Sequence, residues 1–189
     1  MATPESVTVL GISGSLRAGS HNRKILRAAA ELLPPGARLV TFDRLGDIPP
    51  YNEDDDAGTT GQQPEAVREF KNAIAEADRV LIATPEYNGS IPGQLKNALD
   101  WASRPRAEDP LRGKRVAVVG STNGLFGAVW AQAELRKILG IHGAEVLDRE
   151  LGLPLAMDAF DEEGNLVEDG FRDALRDLLE DLAASPVPA

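Results

Sequence analysis

The stretch GISGSLRAGSHN, residues 11–22, combines glycines, serines and an arginine without one acidic side chain. Gly11 and Gly14 let the backbone bend and approach a ligand closely. Ser13, Ser15 and Ser20 offer hydroxyls, and Arg17 offers a fork of donors. A helix predicted to start near Asn22 would add free N–H groups and a positive dipole end. Together these residues can cradle a phosphate. The spacing from Gly14 to Gly19 matches G-x-x-x-x-G, but Ser20 and His21 stand where a nucleotide-triphosphate loop needs Lys and Ser or Thr, and G-x-G-x-x-G is absent. A serine-rich cap ahead of a helix would carry the same residues. His21 is expected to face solvent in the loop.

Two further stretches have the composition of ligand loops. In TPEYNGSIPGQLKNALDW, residues 84–101, Pro85, Gly89, Pro92 and Gly93 fix the chain path. The amides of Glu86 to Gly89 can then face a planar polar ring, with the Tyr87 ring beside it. An ordinary strand-to-helix turn with proline at the first helical position reads the same way. GSTNGLFGAVW, residues 120–130, supplies Ser, Thr, Asn and glycines where an anion or a ring edge could rest.

The elements that must position these loops are legible from periodicity. Apolar, β-rich runs at 7–12, 38–42, 79–84 and 115–120 suit strands covered on both faces, and 144–148 adds a shorter fifth. Helical stripes fall at 22–33, 64–77, 92–103, 130–139 and 171–184. Strict alternation implies parallel strands joined by right-handed crossovers. Five strands in a chain this short predict an α/β, flavodoxin-like three-layer sandwich with a five-stranded parallel sheet of order 2-1-3-4-5. Ligands of such sheets sit beyond the carboxyl ends of the strands at the switch point, which is where all three loops fall. Segments 43–63 and 152–169 are predicted to be irregular, and 185–189 a loose tail.

The 189 residues, 42% hydrophobic, suit one domain spanning 1–189. With no cysteine and only His21 and His142, a disulfide, a thiolate centre or a histidine-built metal site is not expected. Residues 1–6 carry no basic signal region and no run reaches the about 18 apolar residues of a membrane span, so a soluble, untargeted, cytoplasmic protein is expected. Thirty acids against twenty Lys and Arg give a net charge of −10, which argues against a nucleic-acid partner. The windows 6–30 and 110–133 nevertheless hold no acid. An anion would be least repelled there.

GSLRAGSHN followed by PEYNGSIPGQLKNALDW, with YNED between them, resembles the NAD(P)H-dependent FMN reductases, flavodoxin-like enzymes that include quinone, azo-dye and chromate reductases. The resemblance covers about residues 7–140. It implies FMN as cofactor and NADPH or NADH as co-substrate. Ser15, Arg17, Ser20 and Asn22 would hold the FMN phosphate, with Ser13 in the same loop. Pro85, Glu86, Tyr87, Asn88 and Gly89 would line the ring largely through backbone atoms, leaving the Glu86 side chain solvated. Ser121, Thr122, Asn123 and Gly124 would close the other side. It also implies a homodimer or homotetramer in which Tyr51 and Asn52 approach the neighbouring site, although Tyr51 could equally cover the core of its own subunit. The loop after GST is less glycine-rich here than in many relatives.

The implied reaction passes hydride from NAD(P)H through FMN to a small-molecule acceptor: a flavin, quinone, azo compound or metal oxyanion. No catalytic acid, base or nucleophile is required of the protein, and His142 lies away from all three loops. Two alternatives remain open. A flavodoxin-type electron carrier is disfavoured by Arg17, and a flavin-binding regulatory protein would lack turnover with NAD(P)H.

Overall fold

The computed structural model describes residues 6–56 and 62–184; the tail expected at 185–189 lies outside the described residues, as do residues 1–5 and 57–61 of the stretches discussed above. Four strands form where the apolar runs predict them: β1 (Val7–Ser13), β2 (Ala37–Phe42), β3 (Arg79–Thr84) and β4 (Arg115–Ser121). With a fifth strand, β5 (Glu145–Val146), all pair in parallel in the order β2-β1-β3-β4-β5. The predicted order is thus the observed one. The fifth strand is shorter than its run suggests: β5 pairs only with Arg115 and Val116 at the start of β4. The freed end of β4 takes a different neighbour, β6 (Gly152–Leu153), which pairs with Gly120 and Ser121. This sixth strand lies in a segment predicted to be irregular.

Strand side chains alternate between two buried layers. Leu10, Ile12, Val80, Ile82, Val116 and Val118 face a core shared with α2 (Glu65–Glu76), α3 (Gly93–Ala102) and α4 (Val129–His142). Val9, Leu81, Ala83, Ala117 and Val119 face the other, shared with α1 (His21–Leu32) and α5 (Asp169–Ala183). Each fully buried Leu, Ile or Val in these layers contributes about 1.5–3 kcal/mol, and together they fix which strand ends emerge side by side.

The long 43–56 connection is held by α3. Gln94 donates to the carbonyls of Leu45 (2.7 Å) and Ile48 (2.8 Å), and Asn97 and Trp101 each donate to Pro49 at 2.8 Å. Spacing of three and four residues places these side chains on one face of the helix. Much of the QLKNALDW motif therefore fastens this connection. Tyr51 packs edge-on against its own Trp101, centroids 4.9 Å apart, and its N–H donates to Asn97. Asn52 is exposed and caps a 3-10 turn by accepting from the Asp54 N–H.

Candidate functional site

The loops after β1, β3 and β4 meet in a cleft of about 140 Å³. The first loop contributes Ser15, Arg17, Ser20 and Asn22, joined by His21; the second Pro85, Glu86 and Tyr87; the third Ser121, Thr122 and Asn123. Ser13, Asn88, Gly89 and Gly124 do not line this cleft.

Each exception has a local cause. The Ser13 hydroxyl donates to the Ser15 carbonyl (3.2 Å) and accepts from the Ser15 N–H (3.3 Å), so it shapes the turn. Asn88 and Gly89, with φ of 54° and 72°, are the central pair of a two-residue turn closed by hydrogen bonds in both directions between Tyr87 and Ser90. Positive φ at both positions is what an Asn-Gly hairpin turn requires. The Tyr87 N–H is spent inside that turn, so it cannot also face a ring. Gly124 is held by the Thr122 hydroxyl and by the Leu155 N–H.

At the start of α1, Ser20 occupies the cap position but makes no side-chain cap bond, and no acid sits in the first turn. The helix therefore presents its N–H groups and dipole uncompensated. Asn22 is buried; its Nδ2 donates to the Ser121 carbonyl at 3.5 Å, while its Oδ1 has no partner. The buried Ser121 hydroxyl has none either. Buried polar atoms without partners are costly, and two on facing walls of one cleft fit a polar ligand.

Glu86 departs from expectation. Its carboxylate is not left to water: one oxygen accepts from the N–H groups of Trp130 (3.0 Å) and Ala131 (3.1 Å). These are the second and third residues of α4, whose own cap residue, Ala128, has φ of 64° and no side chain able to cap. Glu86 supplies the missing cap from another loop. Ser90 donates to Glu134 one turn further along α4. The second loop is thus bolted to the helix that follows the third.

His21 also departs from expectation. It is the first residue of α1, half-buried, and its ring stacks on Phe160 with centroids 5.6 Å apart. Burial, then Lys24 and Arg17, push its proton affinity below the ordinary value. His142, by contrast, ends α4 far from the cleft, buried with Nδ1 2.7 Å from Asp109.

The segment after 150 braces the third loop. The Thr122 N–H donates to Leu153, while Leu155 and Ala156 donate to Gly124 and Thr122. This is possible because Gly127, at φ 56°, crosses Gly152 so closely that a Cβ on Gly152 would stand 2.5 Å from the Gly127 carbonyl oxygen.

A flavodoxin-like sheet with a phosphate-type loop after β1 and polar loops after β3 and β4 defines a mononucleotide-binding α/β protein. The sequence profile of NADPH-dependent FMN reductases matches residues 7–158, and the chain belongs to that family. It is 44% identical to an NAD(P)H-dependent FMN reductase of Pseudomonas aeruginosa over 94% of both chains. It is 37% identical to a 2-hydroxy-1,4-benzoquinone reductase of a Burkholderia species over 92% of both. A flavoenzyme NAD(P)H:(acceptor) oxidoreductase from Paracoccus denitrificans superposes with a TM-score of 0.80 at 34% identity, covering 94% of this chain and all of that one. The protein is an FMN-dependent NAD(P)H oxidoreductase. The unpartnered Asn22 Oδ1 and Ser121 hydroxyl, beside Arg17 and an uncapped helix start, fit FMN.

Proposed function

We propose that this chain transfers a hydride equivalent from NAD(P)H, by way of FMN held in the three-loop cleft, to a quinone-class acceptor in the cytoplasm. The overall reaction balances as NAD(P)H, a proton and a quinone giving NAD(P)+ and a hydroquinone. One observation supports the placement above others: three loops from separate strands converge on a cleft whose buried Asn22 and Ser121 oxygens have no protein partner. Bound FMN supplies the two-electron redox chemistry.

The residues' tasks follow from their positions. Arg17, Ser15, Ser20 and the first N–H groups of α1 bind the phosphate, and Asn22 spans from that helix to the third loop. Pro85 and Tyr87 flank the ring, and the turn at Asn88 and Gly89 fixes the Tyr87 backbone beside it. Ser121, Thr122 and Asn123 close the opposite wall, braced by Gly124. Glu86 orients two walls relative to each other. The protein moves no proton in this scheme.

The working form is a homo-oligomer. Phe126, Trp130 and Ile141 are 65%, 52% and 63% exposed on and beside α4, although the inner face of that helix is already apolar. A helix apolar on both faces is one that a partner covers. Within the 43–56 connection, the exposed Asn52 and the half-buried Tyr51 are the groups assigned to the neighbouring subunit's site.

The test is spectroscopic. Purified protein should be yellow, bleach with NADPH or NADH without oxygen, and recover on adding a benzoquinone. A protein that binds FMN but ignores both nicotinamides would be a carrier or a sensor. One that stays colourless with added FMN would remove the cleft assignment.

A further inference from the structure

The segment 152–168 does more than brace the third loop, because its turn also docks on the start of α1. Phe160 and Leu166 pair across it as an isolated antiparallel bridge. Phe160, 8% exposed, receives the stacked His21 ring on α1 and the Lys24 ammonium at 5.1 Å from its centroid. Arg27, one turn on, donates to the Glu163 carbonyl at 2.9 Å. Gly164, at φ 80°, lets the turn lie on Lys24 and Arg27, since a Cβ there would stand 2.6 Å from the Arg27 guanidinium. The turn therefore fixes the first side chains of the helix whose N-terminus walls the cleft.

His21 is the member of that set which lines the cleft itself, with Arg17. Its Nδ1 is buried without a partner. The charges acting on the ring are Lys24 on its own helix and Arg17 from the loop. The carboxylate on the cleft wall, Glu86, is engaged at α4, and Phe160 brings no charge. A site that gathers like charges around a titratable ring is discharged by an anion, and a dianion reverses the field the ring experiences.

We infer that His21, held by Phe160, is a second cationic ligand of the FMN phosphate beside Arg17, and that flavin binding charges it by taking up a proton. The inference rests on the cleft being the FMN site. Before binding, burial and the two neighbouring cations keep the ring neutral near pH 7. Afterwards the phosphate favours the imidazolium, so affinity rises as pH falls through the pKa that His21 has in the complex.

The test is calorimetric titration of flavin-free protein with FMN at pH 7, in two non-phosphate buffers of different ionisation enthalpy, for the natural chain and for His21→Phe. Phenylalanine keeps a ring to stack on Phe160, and His21→Asn serves as a second variant if that one misfolds. The natural chain should take up measurably more protons per FMN than either variant. The phosphate's own titration, with its second pKa at about 6, cancels in that difference. At pH 6 the variants should bind FMN about tenfold more weakly, as for loss of a charge-assisted hydrogen bond. Riboflavin, which lacks the phosphate, should show no difference in proton uptake. Phe160→Leu should lower both FMN affinity and uptake. Equal uptake by the natural chain and the His21 variants, or the same extra uptake with riboflavin, would overturn the inference while leaving FMN binding intact. Failure to bind either flavin would instead remove the cleft assignment on which it stands.

Discussion

Glu86→Ala should loosen the three-loop cleft, because the Glu86 carboxylate ties the second loop to the helix that follows the third. That carboxylate accepts two N–H groups, at 3.0 and 3.1 Å, in the first turn of α4. Loss of a side-chain cap costs about 0.5–2 kcal/mol, and loss of a negative charge at a helix N-terminus about 0.3–1 kcal/mol. The Trp130 N–H lies near solvent and water recovers part of this, so the expected cost is about 1.5 kcal/mol. For a chain of this length that lowers Tm by about 3–6 °C. Glu86→Gln keeps a carbonyl acceptor and loses only the charge, so it should cost about a third as much. Urea denaturation of flavin-free protein gives the stability change, and fluorescence titration with FMN gives the coupling to the site. Affinity should fall several-fold in Glu86→Ala, because the second and third loops are no longer held at one spacing. A Glu86→Ala protein as stable as the natural chain would refute the cap. A destabilised one with unchanged FMN affinity would show that the clamp and the cleft are independent.

Arg17→Ala should weaken FMN about 10- to 100-fold with little effect on riboflavin, measured by fluorescence quenching, since one charge-assisted contact is lost. Gly152→Ala should destabilise by about 2 kcal/mol in urea unfolding, because its methyl would overlap the Gly127 carbonyl. Asp109→Ala should cost about 2–3 kcal/mol by removing the partners of the buried His142 Nδ1 and the Leu111 N–H, yet leave FMN affinity unchanged at this distance from the cleft. The flavin-free protein should lose stability below about pH 6.5. There the unfolded chain protonates His21 while the folded one, with its lowered proton affinity, does not. Thermal melts at pH 7.5 and 5.5 should therefore fall further for the natural chain than for His21→Phe.

What the sequence revealed and what it concealed divide along the range of the interactions. Strands covered on both faces need continuous apolar runs, so β1, β3 and β4 were legible, and with them the loops at their carboxyl ends. The turn at Asn88 and Gly89 was legible in principle, because Asn-Gly is the dipeptide that its φ values demand. Glu86 was not: a helix cap is normally sought within a few residues of the helix it serves, and this one comes from 44 positions upstream of Trp130. His21 reads as a loop residue until Phe160 is placed beside it. β5 and β6 divide one edge of β4 between them, and two-residue strands leave no periodicity to detect.

The same division explains why a strongly acidic chain can hold a phosphate. The acid-free windows at 6–30 and 110–133 are far apart in sequence, but β1 and β4 both border β3, so the first window supplies Arg17 and His21 to the cleft and the second its Ser121 wall. Among the acids between the two windows, the Glu86 carboxylate is engaged at α4, Asp43 lies near Arg23, and Asp47 and Glu69 pair with Arg44. A net charge of −10 then repels anions from the rest of the surface, while the local field beyond β1 and β4 favours them. Net charge constrains what the whole surface attracts, whereas the parallel sheet decides which residues share a cleft.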